Sequence, residues 1–144
     1  MRAVLIDPYT RTINEIAFGG TREDLYAVLN VRTVMSVVVG PRDILWHDSE
    51  AFREAGRPVF RLGESTTPLA GRGLMLGNSP DGAHVGTTVP LQKVVKTVHW
   101  TDYESTGAFH TGGIPPSDDG EFYGFIIRTG SPVLRKRAPK TGGA

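Results

Sequence analysis

No cysteine occurs among the 144 residues. Disulfide stapling and thiolate metal centres are therefore excluded, and the absence fits a reducing compartment. Long apolar runs are missing too. Ala3-Val4-Leu5-Ile6 ends at Asp7-Pro8, too soon for a signal-peptide core, and nothing later approaches the ~20 apolar residues of a bilayer span. The cytoplasm is the expected location, with no membrane partner. Neither sign of charge dominates: 16 Lys and Arg stand against 15 Asp and Glu, a formal +1. No global field selects a polyanion.

What is present describes a folded domain. At 39% hydrophobic and 22% charged residues the chain lies far from disordered compositions and is long enough to bury a core. Its 18 glycines and 10 prolines fall mostly between apolar runs, which implies short elements joined by many turns.

Ala3–Ile6 reads as a strand stopped by Asp7-Pro8. Thr12–Phe18 should pair back on it as a hairpin until Gly19-Gly20 breaks it. Thr21 with Asp24 three residues later is a capping-box start, and Leu25, Val28 and Leu29 supply a helical stripe that Asn30 closes. Val34–Val39 is nearly continuous apolar and β-branched, the pattern of a central strand buried on both faces. After the turn Gly40–Asp43, Ile44–His47 returns beside it. Asp48–Gly56 fits one helical turn, and Pro58–Leu62 and Leu74–Leu76 fit short strands.

Pro90–Val98 predicts a second helix from Leu91, Val94, Val95 and Val98 at i, i+3, i+4, i+7, although its valines also suit a strand. Thr101–Gly120 reads as loop, with 103–120 an insertion or a lid, and Glu121–Arg128 as a last strand. The expected fold is α+β: a mainly antiparallel sheet of short strands with two helices packed on one face. Residues 1–129 make one domain, with 1–98 as core and 99–129 as an extension. Residues 130–144 read as a disordered basic tail.

Chemistry is sparsely marked. Gly71-Arg72-Gly73 lets backbone approach a ligand, and Arg72 can pair with a phosphate or carboxylate; a tight turn feeding a strand explains the same residues. The lysine of a P-loop and the spacing of a dinucleotide fingerprint are both missing, so no cofactor is expected. Trp46 and Trp100 are candidate partners of this turn for a nucleotide-like ligand. Trp46, Trp100, Tyr103, Phe109 and Tyr123 form either an aromatic wall or core. Arg135, Lys136, Arg137 and Lys140 offer a nucleic-acid contact through the tail, extended by Arg42, Arg53, Arg57, Arg61 and Arg72, or a solvated terminus.

His47-Asp48-Ser49 and His99-Trp100-Thr101 both read His-x-Ser/Thr. The pair resembles the core of the two-histidine phosphoesterases, which would make His47 and His99 general acid and base, with Ser49 and Thr101 holding the phosphate of a cyclic nucleotide or RNA. Asp48 and Glu50 around Ser49 depart from the apolar surroundings of that motif. A metal site from His47, Asp48, His99 and Asp102 is opposed by strand alternation, which turns His47 and Asp48 to opposite faces; no metal is expected. His84 and His110 lie in glycine-rich stretches and should be exposed. Asp118-Asp119-Gly120-Glu121 is an acidic turn without a complete calcium-loop pattern.

Met1-Arg2-Ala3-Val4-Leu5-Ile6-Asp7-Pro8, Asp24-Leu25-Tyr26, Ile44-Leu45-Trp46-His47-Asp48 and Leu69-Ala70-Gly71-Arg72-Gly73-Leu74 occur in an order and spacing that resembles the phage and plasmid proteins grouped as domain-of-unknown-function family 3846. The resemblance covers roughly residues 1–98 and implies a mobile-element accessory protein in a host cytoplasm. It carries over no active site. The expected function is non-enzymatic: binding of a host protein or a small nucleotide-like ligand, with counter-defence as one setting and self-association through strand edges left open.

Overall fold

Alternation along Arg-Ala-Val-Leu-Ile-Asp puts apolar side chains on both sides of one short strand, so two layers must cover it. The computed structural model, which describes residues 1–111 and 130–138, has that arrangement. The strands are β1 (Arg2–Asp7), β2 (Thr12–Ala17), β3 (Val34–Val38), β4 (Asp43–Asp48), β5 (Ala55–Leu62), β6 (Leu69–Ala70), β7 (Gly73–Asn78), β8 (His84–Val85), β9 (Val98–Phe109) and β10 (Pro132–Lys136). Helix α1 is Arg22–Leu29, α2 is Leu91–Thr97, and Ala51–Arg53 forms a 3-10 turn. Among the described residues no helix is long and apolar enough to cross a membrane.

Among the described residues every strand pair is antiparallel. One sheet runs β2-β1-β7-β4-β3, with β8 beside the end of β7; the other runs β10-β9-β5-β6. The α+β class expected from the sequence is the class observed. The helices, however, divide between two faces of the larger sheet. Val4, Ile6, Leu45 and Met75 point toward Phe60 of the second sheet and toward Val94 and Val98 at α2. Their strand neighbours Ala3, Leu74 and Leu76 point the other way, against Leu25 and Leu29 of α1. Each of these side chains larger than alanine contributes roughly 1.5–3 kcal/mol by leaving water.

Local chemistry sets α1 as its sequence indicates. The Thr21 side chain accepts from Asp24 N–H at 3.0 Å, and Asp24 Oδ2 accepts from Thr21 N–H at 3.2 Å. Asn30 ends the helix in the left-handed region at φ 56°, where Asn is tolerated better than most residues.

Three expectations need correction. Val34–Val38 is the edge of its sheet, not its centre, and is mostly exposed: Val38 is 72% exposed. The interior positions go to β1, β7 and β4, and β7 at the centre is buried at every residue but Asn78. Residues 99–109, expected as extension and loop, belong to the 12-residue strand β9, which joins β5 to β10. Ser105 and Tyr103 of this strand are buried although its sequence reads as polar.

The start of the supposed tail is strand β10. Leu134 is buried against Val59 and Tyr103, and Arg135 pairs with Glu104 across the ladder. The expected strand Glu121–Arg128, the acidic turn 118–121, Tyr123 and Lys140 lie outside the described residues.

Candidate anion-binding site

The chain crosses from the second sheet to the first at Gly71-Arg72, between β6 and β7. Gly71 adopts φ +75°, where a side chain would be strained. Its N–H donates to Pro58 O at 3.1 Å. A Cβ at Gly71 would stand 3.5 Å from Arg57 Nη1, so the guanidinium of Arg57 lies directly beside this backbone.

Arg72 follows on the α1 side of the sheet. Its Nη1 makes a long 3.5 Å hydrogen bond to Val28 O near the helix C-terminus. Its Nε lies 3.4 Å from Asp7 Oδ2 but is buried without hydrogen-bond geometry. Arg72 therefore has donor capacity to spare. Arg57 is better occupied: Nη1 is 3.1 Å from Asp48 Oδ2, and Nε donates to Glu54 at 3.2 Å. Burial works against the Arg57 charge, but Glu54, with Tyr9 and Asp48, raises its pKa above the usual value. The hydrogen bond from Arg57 in turn holds the Glu54 carboxyl below its ordinary range.

The two arginines line an open groove of about 280 Å³ together with Tyr9, Leu29 and Asn30. Tyr9 sits in the β1–β2 turn, where its N–H donates to Asp7 Oδ1 at 3.0 Å. It is 43% exposed. An aromatic ring, a phenol and a guanidinium with unfilled donors thus share one solvent-filled space, the parts that receive a phosphate or carboxylate on a planar ligand.

Of the residues expected at this site, only Arg72 lines the groove; Gly71 lies beside Arg57, a Cβ on Gly73 would meet the core residue Leu45, and Trp46 and Trp100 are elsewhere. Trp46 is half-buried against His84, ring centroids 5.5 Å apart, and Trp100 packs on Phe60 at 6.3 Å. Both serve the core. The groove's aromatic is Tyr9, which the sequence reading passed over. Its signal was an aromatic residue directly after Asp-Pro in a turn, where no buried face claims it.

The histidine pair is not assembled. His47 stands on β4 of the larger sheet and His99 on β9 of the smaller one. Val98 and Trp100 face the main core, so alternation turns exposed His99 to the opposite side. Burial lowers the pKa of His47, although the Asp48 carbonyl, 3.3 Å from Nδ1, and the Asp48 charge partly offset it. Ser49 Oγ donates to Thr33 and Thr101 Oγ1 donates to Val59 O, each at 2.7 Å. These hydroxyls support loops and strands.

Nor do the other candidates converge. Among the described residues no group of three or more His, Asp or Glu is placed to hold a metal ion. His110, expected to be exposed, is buried, and His84 is half-buried against Phe18 and Trp46. Tyr103 is core. Phe109 is 40% exposed at the end of β9. Arg42 lines a separate cleft of about 250 Å³ between the β3–β4 turn and α2, with Lys93 and Val94. Arg53 pairs with Glu50 on the surface, and Arg61 lies opposite His99 in the ladder.

No protein-family model, curated protein or solved structure matches this chain.

Proposed function

We propose that the protein works by binding a ligand that presents a phosphate or carboxylate to Arg72, with Tyr9 against its planar part: a small nucleotide-like molecule. One observation carries this reading. Arg72 lines an open groove, and among the described residues its terminal guanidinium nitrogens make a single, long hydrogen bond, from Nη1 to Val28 O. An anion arriving there gains charge-assisted hydrogen bonds without first breaking strong ones. Separation of His47 and His99 onto different sheets leaves turnover by a histidine pair without support. The ordered resemblance of residues 1–98 to family 3846 supports placing this binding function in a phage or other mobile element, where sequestering a host signal would serve counter-defence.

Calorimetric titration with a nucleoside monophosphate and with the matching nucleoside tests the reading. Binding of the phosphate form alone, lost in Arg72→Ala, supports it. Equal binding of both, or binding that Arg72→Ala leaves unchanged, contradicts it.

A further inference from the structure

Tyr9 lines two spaces, not one. The second is a groove of about 690 Å³ that Tyr9 borders together with Thr10, Arg11, Asp102, Lys136, Arg137 and Ala138. This groove exists because β10 is a strand: the ladder Arg135↔Glu104, Lys136↔Tyr103 and the bond from Arg137 N–H to Asp102 O at 2.7 Å bring Lys136 and Arg137 beside the β1–β2 turn. Arg11, at φ 54°, completes the turn and donates to Thr101 O and to Asp102 Oδ1, each at 3.1 Å. Arg135 is neutralised by Glu104. Among the described residues neither Lys136 nor Arg137 has a carboxylate within ion-pair distance.

One exposed aromatic is thus shared by two grooves that each carry cations: Arg57 and Arg72 in the smaller, Arg11, Lys136 and Arg137 in the larger. Among the described residues Asp102 is the one carboxylate lining either space, while Asp48 and Glu54 pair with Arg57 and Asp7 with Arg72. Cationic tracks interrupted by an aromatic platform are the chemistry of single-stranded nucleic-acid binding, in which a base stacks on the ring while successive phosphates meet basic side chains.

We infer that the two grooves form one track for a short single-stranded nucleic acid, with a base stacked on Tyr9 and backbone phosphates on both sides of it. This rests on the anion-binding reading of the Arg72 groove and extends it: a mononucleotide fills one side, an oligonucleotide both. A duplex is disfavoured, because its bases are already stacked on one another and cannot lie on Tyr9.

The test is fluorescence anisotropy with a labelled oligothymidylate of roughly ten nucleotides, within the range of site sizes such grooves cover. A duplex of equal length and a nucleoside monophosphate as competitor complete the set. The expected result is single-strand binding that weakens with salt. In Lys136→Glu/Arg137→Glu it falls about tenfold or more, with a shallower salt dependence. In Tyr9→Leu, an exposed position, it falls roughly 5- to 150-fold.

A mononucleotide that binds through Arg72 while the oligomer binds no tighter and ignores the Lys136/Arg137 change overturns the inference and spares the reading beneath it. Failure of both ligands overturns the two together. Equal affinity for duplex and single strand overturns the stacking role of Tyr9, and with it the inference.

Discussion

Asp7 and Arg72 are joined through one carboxylate oxygen, Oδ2, 3.4 Å from the Arg72 Nε, while Asp7 Oδ1 accepts from the Tyr9 N–H at 3.0 Å. The residue that ends β1 thus positions the ring of the groove and holds its guanidinium. It also competes with any incoming anion. Asp7→Asn keeps an oxygen for Tyr9 and removes the competing charge. The expected outcome is a phosphate ligand bound roughly three- to tenfold more tightly, read by calorimetry at low salt. Weaker binding in this variant would mean that Arg72 needs Asp7 to hold its place.

Acid sensitivity should centre on Asp43. Its Oδ1 accepts from Thr87 Oγ1 at 2.7 Å and Thr88 N–H at 2.9 Å, and its Oδ2 from Thr88 Oγ1 at 2.6 Å. Burial opposes the charge, but these bonds and the Arg2 guanidinium outweigh it and hold the pKa below the ordinary carboxylate value. A carboxyl with a lowered folded-state pKa stabilises the fold above its unfolded-state pKa, and that contribution disappears as pH falls through the folded-state one. The melting temperature should therefore drop as pH falls below about 4. Asp43→Ala should flatten that limb and cost about 1–3 kcal/mol near neutrality by stranding the buried Thr87 hydroxyl. An unaltered acid limb in the variant would assign it to other carboxylates.

Position in the sheet, not hydrophobicity, should decide the effect of substitution in β3 and β4. Val38 is 72% exposed at the edge, while Leu45 is fully buried one strand in. Val38→Lys should change stability by less than about 0.5 kcal/mol, and Leu45→Ala should cost about 2–5 kcal/mol in chemical denaturation. A large loss at Val38 would show that something covers this edge.

The capping box gives a local check on α1, whose C-terminal end frames the groove. Thr21→Ala removes the side-chain acceptor of Asp24 N–H and should cost about 1 kcal/mol. Thr21→Ser should be near neutral. Equal losses in both would point to packing by the Thr methyl.

Features fixed by neighbouring residues were legible in the sequence. The Thr21–Asp24 box, the Asn30 cap and the Asp7-Pro8 strand end depend on atoms a few bonds apart, and they stand as read. Features fixed by the sheet as a whole were not. Val34–Val38 carries the composition of a core strand but lies at an edge, because a β-branched run records strand propensity and not rank within the sheet. Lys136 and Arg137 read as tail because charge masks the strand, whereas Leu134 anchors it against a core assembled from distant residues. Arg72 stood out in the sequence through its flanking glycines, and it does line a groove. Tyr9, Arg11 and Arg57 reach the same surface only through the crossover of the two sheets, which no spacing along the chain reveals.

Nitrogen-15 NMR titration with a nucleoside monophosphate tests the binding claim most directly, since it reports where the ligand sits as well as whether it binds. Saturable shifts centred on the amides of Tyr9, Asn30, Gly71 and Arg72 and on the Arg72 Nε are the predicted result. Shifts confined to the separate cleft around Arg42 and Lys93, or none at millimolar ligand, would contradict it.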